Sequence, residues 1–357
     1  MQFGMFMEFA TREGGSEAEA FREGLALAEA ADAWGLDAAW LAEFHFVPDR
    51  SVLSSPITLA AAIAGRTHRI RIGFAVYVLP LNHPIRIAEE IATLDHVSGG
   101  RVDLGIGRSG FTWFYEGYAV PYSESQGRFD EAVEVLLRAF SGQRFSFEGE
   151  FYRVRDALLC PGPRQRPHPP LRMAATRGET FPRVGAAGLP IFVGLRGDSL
   201  DELAAQLATY REAWLEAGHP GPPSAFLRLP LHAAATGDAA REEARDTLVH
   251  YFKRQSELVA GDAARRGDPP DSPRYATAAR LASLAYDDIL ENRAIVGSAA
   301  EVAGRVEELR DILGIDGVVA ELNPGGLLDE AATLESLRIL AREVKAQFGD
   351  GWEDPSP

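Results

Sequence analysis

Residues 70–106 read IRIGFAVYVLPLNHPIRIAEEIATLDHVSGGRVDLGI, and this stretch decides the fold. Ile70–Val78 is a short apolar run of strand length, Pro84–Val97 a longer amphipathic stretch opening on a proline suited to a first helical turn, and Val102–Ile106 a second short apolar run. A strand, a helix and a strand in such close succession form a βαβ unit, which places both strands parallel in one sheet.

The same rhythm extends in both directions. Upstream, Gln2–Met7 and Asp37–Ala42 read as strands and Ser54–Ala64 as a helix. Ser16–Trp34 reads as a helix, with Ser16 as its N-cap, Glu19 three residues on and Gly35 as its stop. Downstream, Phe129–Phe140 lies in a helix, followed by strands at Leu171–Ala175, Pro190–Gly194, Phe226–Ala234 and Gly317–Glu321. Ser199–Glu216, Ala239–Leu258, Ala299–Leu313 and Glu330–Phe348 are the intervening and closing helices.

Eight strands alternating with helices predict an α/β chain folded as a (β/α)8 TIM barrel, with a doubly wound open sheet as the alternative. Two segments break the rhythm. Arg144–Arg153 carries aromatic residues around Glu148-Gly149 and predicts a hairpin inserted after the fourth unit. Gly261–Pro273 is polar and rich in Gly and Pro, which predicts a loop or partly disordered stretch within a long insertion after strand seven. Residues 1–348 are expected to form one domain and 349–357 a disordered tail.

The formal charge is −16, a surface that repels nucleic acid and anionic membrane. One cysteine, Cys160, permits no internal disulfide, and the chain start lacks a basic leader. These features predict a cytoplasmic protein with no membrane span.

In such a barrel the chemistry sits at the C-terminal strand ends. Three features there suit an anion: Arg108, with its bidentate fork; the turn Thr176–Thr180, with hydroxyls and backbone N–H groups; and Arg128, shortly before a helix. A surface arginine or an ordinary cap is the alternative for each taken alone. Gly105-Ile106-Gly107-Arg108-Ser109-Gly110 matches the letters of a dinucleotide fingerprint, but it follows the fourth strand and runs into Phe111-Thr112-Trp113-Phe114-Tyr115, which reads as an aromatic loop rather than a helix, so that reading is rejected. These glycines are expected to admit a flat ligand. His45, flanked by Glu43, Phe44 and Phe46, is the candidate general acid or base, with a structural histidine held by a carboxylate as the alternative. No HxxxH or paired-cysteine spacing supports a metal site.

Residues 35–46 (GLDAAWLAEFHF), 78–84 (VLPLNHP), 94–101 (LDHVSGGR) and 188–190 (GLP), with the opening Met1-Gln2-Phe3-Gly4, together resemble the flavin-dependent monooxygenases related to bacterial luciferase. The resemblance runs to about Phe348. It implies a barrel that binds reduced FMN (FMNH2) supplied by a separate flavin reductase. It also implies insertion of one oxygen atom from O2 into a small organic substrate through a flavin C4a-hydroperoxide, in a homodimer. It places Arg108 and Arg128 at the flavin phosphate, Ala175, Thr176, Arg177 and Thr180 on the phosphate-binding turn, and Ala75 beside the isoalloxazine with a cis Ala75–Val76 peptide.

Departures from the family pattern are informative. Phe44 stands where luciferase has its catalytic histidine, Gly107 where it has a reactive cysteine, and Leu195 where a tryptophan is expected. They argue against light emission. His45 matches a position that meets a partner-subunit carboxylate, with Glu89 as the candidate. Phe6, Phe44, Phe46, Phe111, Trp113 and Leu195 are expected to line a dry pocket, and residues 261–293 to act as a lid. An F420-dependent hydride-transfer enzyme and a non-catalytic flavin-binding subunit are the alternatives.

Overall fold

A computed structural model describes residues 1–12, 14–195 and 199–349. The expected tail beyond Gly349 lies outside the described residues. Eight parallel strands are β1 (Gln2–Met7), β2 (Ala38–Leu41), β3 (Arg71–Val78), β4 (Val102–Gly107), β5 (Leu171–Ala174), β6 (Ile191–Gly194), β7 (Ala225–Ala233) and β8 (Gly317–Glu321). Each pairs with its neighbour in order, and β8 pairs back onto β1 with Gln2 opposite Gly317 and Phe6 opposite Glu321. These eight strands therefore close into a barrel, with Ile295–Gly297 added as a short ninth parallel strand beside Leu231–Ala233 of β7, and closure excludes the open-sheet alternative.

Side chains alternate across the barrel wall. On β2, Ala38 and Trp40 point inward with Phe6, Phe192, Phe226 and Val319, whereas Ala39 and Leu41 join the layer packed under the helices. Trp40 fills the lower interior. Gly4 and Gly73 make room for it: a Cβ on Gly73 would lie 2.1 Å from the indole Cε3, and one on Gly4 2.6 Å from Nε1. Arg172 completes this layer, bonded to Asp103 at 3.0 Å and lying 4.1 Å over the Phe226 ring. The N-terminal half of the barrel is thus plugged by side chains.

The helices between strands are α1 (Glu17–Trp34), α2 (Pro56–Ala64), α3 (Pro84–Val97), α4 (Thr112–Gly117), α5 (Ser125–Phe140), α6 (Thr180–Ala186) and α7 (Leu200–Glu216). After β7 come α8 (Gly237–Arg266), α9 (Pro273–Ala282), α10 (Tyr286–Asn292) and α11 (Ala299–Leu313), and α12 (Glu330–Ile339) follows β8. Ser16 and Glu19 form the expected capping box on α1, and Gly35 ends it in the left-handed conformation. The hairpin is present as Phe145–Glu148 paired antiparallel with Arg153–Ala157. The aromatic stretch after β4, expected as a loop, is the short helix α4.

The insertion after β7 departs most from expectation. The segment from Gly261 is a loop only over residues 267–271: the 30-residue α8 continues to Arg266, and Ser272 caps α9 with Pro273 at its first position. A separate apolar cluster holds it, with Leu248, Tyr251 and Phe252 of α8 against Leu281 of α9 and Tyr286 and Ile289 of α10. At 1.5 Å per residue α8 is about 45 Å long, and it reaches from the end of β7 to α4, beyond β4. No helix among the described residues is long and apolar enough to cross a membrane.

Candidate active site

The C-terminal ends of the strands and the underside of α8 and α9 enclose a cavity of about 1370 Å3. Six of the eight residues singled out from sequence line it: Ala75, Arg108, Ala175, Thr176, Arg177 and Thr180. The Ala75–Val76 peptide is cis, and β3 slips register against β4 between Phe74 and Tyr77 at this point.

Arg108 follows the last residue of β4. Its Nη1 donates to Ser125 Oγ at 2.8 Å and to the Tyr122 hydroxyl at 3.3 Å, and its carbonyl accepts from the Tyr115 hydroxyl. Two bonds to neutral oxygens orient the guanidinium and leave its charge uncompensated by either partner. Burial alone raises the Tyr122 phenol, yet its bond with Arg266 and the charges of Arg108, Arg266 and Arg177 bring it below the ordinary tyrosine value. The corner where β4, β5 and α8 meet therefore carries a positive field inside an acidic protein.

Arg128 lies outside the cavity lining. Glu124, one helical turn earlier, holds it at 2.7 Å, and its guanidinium sits 5.1 Å over Phe151. His45 is also off the surface of the cavity. It is buried, with Nε2 2.9 Å from Glu43 Oε1 and Nδ1 3.4 Å from the Tyr118 hydroxyl. Glu43 lines the cavity in its place; its second oxygen accepts the Val78 N–H at 2.8 Å. Burial raises the Glu43 carboxyl above the usual range, against the lowering effect of His45 and of the Val78 N–H. Within the chain, Glu89 pairs with Arg86 on α3 and not with His45.

Of the residues expected to make the pocket dry, Phe6, Phe44, Phe111 and Leu195 do line it. Trp113 stacks behind Phe111 at 4.5 Å. Phe46 adopts φ 61° and turns its ring outward over Gly117, 63% exposed. The glycines at the end of β4 and just after it divide in role: Gly107 and Gly110 line the cavity, whereas Gly105 gives room to the Phe74 carbonyl of β3.

Sequence reasoning missed the cavity floor. Arg228 of β7 donates to Glu321 of β8 at 2.8 Å and to Glu8 at 3.2 Å, and lies 3.4 Å over the Phe6 ring. Arg50 shares Glu8 at 2.5 Å, and the Tyr251 hydroxyl of α8 donates to Glu321 at 3.3 Å. Arg228 and Glu321 line the floor, Glu8 and Arg50 lie behind it, and two arginines and two glutamates make the cluster neutral. A charged residue within the apolar strand Ala225–Ala233 was the available signal.

The donor set suits a ligand with an anionic tail and a flat apolar body: guanidinium and hydroxyl groups converge at one corner, and aromatic and aliphatic side chains line the rest. The family model for luciferase-like monooxygenases matches residues 1–316. The chain is 28% identical over 331 residues to the 4-hydroxyprotoasukamycin monooxygenase of Streptomyces nodosus subsp. asukaensis, covering 91% of this chain and 86% of that one. It is 25% identical over 353 residues to the limonene 1,2-monooxygenase of Rhodococcus erythropolis, covering 98% and 87%. The fold superposes with a TM-score of 0.81 on the oxygenating constituent of 3,6-diketocamphane monooxygenase from Pseudomonas putida, solved with FMN, at 21% identity over 97% of this chain and 98% of that one. By its sequence, this chain belongs to the luciferase-like monooxygenase family.

Proposed function

We propose that this chain is the oxygenase component of a two-component system, using reduced FMN and O2 to insert one oxygen atom into a small organic substrate without light emission. The observation that carries the reading is the convergence of Arg108, Arg177, Thr176 and Thr180 on one corner of a cavity whose wall includes Ala75 and Val76. Arg108 and Arg177 would hold the flavin phosphate by charge-assisted bonds, and Thr176 and Thr180 would supply hydroxyl donors. Ala75, Val76 and Gly107 would face the ring system. Bound reduced FMN supplies the electrons that activate O2.

The chain's own contribution is position and dryness. The apolar walls and the roof of α8 and α9 exclude water from the mouth. The cavity exceeds the roughly 300–1,000 Å3 of common small-molecule pockets, which supports room for a substrate beside the flavin. Glu43, with its carboxyl raised by burial and backed by His45, is the titratable group poised to hold or pass a proton at the cavity surface. His45 then acts through Glu43 as a positioning residue. A separate reductase follows from this reading, and the relative solved with FMN is itself described as an oxygenating constituent. A homodimer follows from the family resemblance.

Incubation with a flavin reductase, NADH, FMN, 18O2 and a substrate panel tests the reading. One 18O atom per product molecule supports it. Peroxide release with every substrate, or oxygen-independent turnover with reduced F420 in place of FMN, overturns it.

A further inference from the structure

We propose that the insertion completes the anion site: Arg274 of α9 is a third guanidinium for the flavin phosphate, beside Arg108 and Arg177, and the phosphate in turn ties α9 to the barrel. The proposal rests on the flavin reading of the cavity and adds a ligand from the roof to those supplied by the strand ends.

Arg274 is the second residue of α9 and lines the cavity together with Arg108, Gly110 and Arg177. Its side chain is 22% exposed, and its Nη1 binds Asp262 at 2.7 Å. Nη2 stands 3.5 Å from the Gly110 carbonyl and Nε 3.7 Å from Asp268. A guanidinium carries five N–H donors in a planar fork. One edge of the Arg274 fork is therefore fixed by a buried carboxylate, and the rest meets its neighbours at the limit of hydrogen bonding or beyond it. That leaves donors for a ligand anion.

The neighbours of Arg274 are the residues of the anion corner. Arg266 shares Asp262 Oδ2 with it and donates to the same Gly110 carbonyl at 2.6 Å. The Arg266 guanidinium lies 4.1 Å over the Tyr122 ring, and the Tyr122 hydroxyl accepts from Arg108 at 3.3 Å. Burial first, and Arg266 next, lower the Arg274 guanidinium from its ordinary value; Asp262 and Tyr122 oppose them, and Arg177 adds to the lowering. A cation crowded by like charges is favoured when an anion enters among them. The carboxylates nearby do not fill that role. Asp262 is fully buried and divided between two arginines, while Asp268 and Glu179 each stand 3.7 Å from their arginines, Arg274 and Arg177. A phosphate presents several charged oxygens to three guanidiniums at once. Arg108 and Arg177 belong to the barrel and Arg274 to the insertion, so a phosphate held by all three joins the two.

FMN and riboflavin differ by the phosphate alone, so titrating each into the flavin-free protein, followed by quenching of flavin fluorescence, isolates the anion site. Arg274→Gln is expected to lower FMN affinity by about tenfold or more, the size of one charge-assisted hydrogen bond, and to leave riboflavin affinity unchanged. Arg274→Lys keeps the charge and loses the fork, and should fall between wild type and Arg274→Gln. Arg280→Gln, on the cavity wall about 9 Å further along α9, should change neither affinity. Because Arg274 also holds Asp262, a merely loosened roof would weaken both flavins alike. Equal losses for FMN and riboflavin, an FMN affinity that Arg274→Gln leaves intact, or the same loss in Arg280→Gln overturns the proposal. The second readout is proteolysis of the link at residues 267–271 in flavin-free protein with inorganic phosphate as the probe. Phosphate should slow the cut in wild type and not in Arg274→Gln; no protection of wild type, or equal protection of the variant, overturns the tie between anion and roof. The two readings fail separately. Absence of FMN binding to wild type sinks the flavin assignment, whereas the phosphate experiment still decides Arg274 as an anion ligand.

Discussion

Thr112 donates both its backbone N–H and its hydroxyl to Oδ1 of Asp262, at 2.7 and 2.9 Å, across 150 residues of chain. This contact ties the far end of α8 to α4 and so fixes the roof over the cavity mouth. Asp262 is fully buried, and its other oxygen takes Arg266 at 2.5 Å and Arg274 at 2.7 Å. Asp262→Ala leaves two guanidiniums and an N–H without their acceptor. Breaking a buried pair costs about 3–5 kcal/mol, and the partial exposure of both arginines places this case at the lower end. Thr112→Ala keeps the N–H and loses one bond to a charged acceptor, about 1.5–3 kcal/mol. Urea unfolding and limited proteolysis around residues 267–272 check both: Asp262→Ala should be the weaker and the faster cut. Equal resistance in both variants and the wild type would show that the roof is held by the apolar cluster alone.

Arg108 is held in place by neutral oxygens, so its charge is available to a ligand anion. Arg108→Ala is expected to weaken FMN binding by about 1.5–3 kcal/mol, roughly 10- to 150-fold. Arg128→Ala is expected to change FMN affinity little, because Glu124 already takes that charge outside the cavity. Quenching of flavin fluorescence on titration measures both, and equal losses in the two variants would return Arg128 to the site.

Gly105 within β4 and Gly110 after it make a separate prediction about packing. A Cβ on Gly105 would lie 1.9 Å from the Phe74 carbonyl oxygen and 2.9 Å from the Phe192 ring. The first obstacle is backbone, so Gly105→Ala must disturb the β3–β4 pairing, at a cost of about 3 kcal/mol or more. A Cβ on Gly110 finds nothing nearer than Arg274 Nη2 at 4.0 Å, so Gly110→Ala should leave the melting temperature unchanged. A thermal scan of the pair decides the point. A well-folded Gly105→Ala protein would mean that β3 and β4 can part without loss of the barrel.

Much of this was legible in the chain, and what was not has physical causes. The barrel could be read because each strand is short, apolar and followed by a helix whose caps are local; Ala299–Leu313 and Gly317–Glu321 match their predicted bounds. The anion corner could be read because Arg108 and the 176–180 turn follow strands directly. The Glu8, Arg50, Arg228 and Glu321 cluster could not, because Glu8 and Arg228 are 220 residues apart and meet only when β8 closes onto β1. The insertion was misread because Gly267 and the prolines near 270 suggested a loop; they end one helix and start the next, with Ser272 as the cap. For Arg128 the corrective signal was local: Glu124 stands at i−4, the spacing of a helical ion pair. No local rule announces the left-handed turn at Phe46 that points its ring outward.

The last prediction concerns pH and the helix that precedes β8. The Ser298 N–H and hydroxyl both donate to Glu301 Oε2 at 2.8 Å, and Arg241 of α8 reaches Oε1 at 3.1 Å. The backbone N–H of Ser298, then its hydroxyl, then Arg241, hold the Glu301 carboxyl at about 2, against an ordinary value of 4.5. A carboxyl depressed in the folded state leaves the unfolded chain binding more protons between those two values. Its contribution is therefore complete above about pH 4.5 and fades as pH falls toward 2. The side chain is 46% exposed, so screening keeps the effect small. Glu301→Gln is expected to lower stability at pH 7 by about 0.5–1 kcal/mol, the size of a modest helix cap. The difference from wild type should narrow steadily when urea midpoints are compared at pH 7, 5, 4 and 3. A gap that stays constant across that series would assign the cost to lost shape at the cap, and the carboxylate charge would have no part in joining α11 to α8.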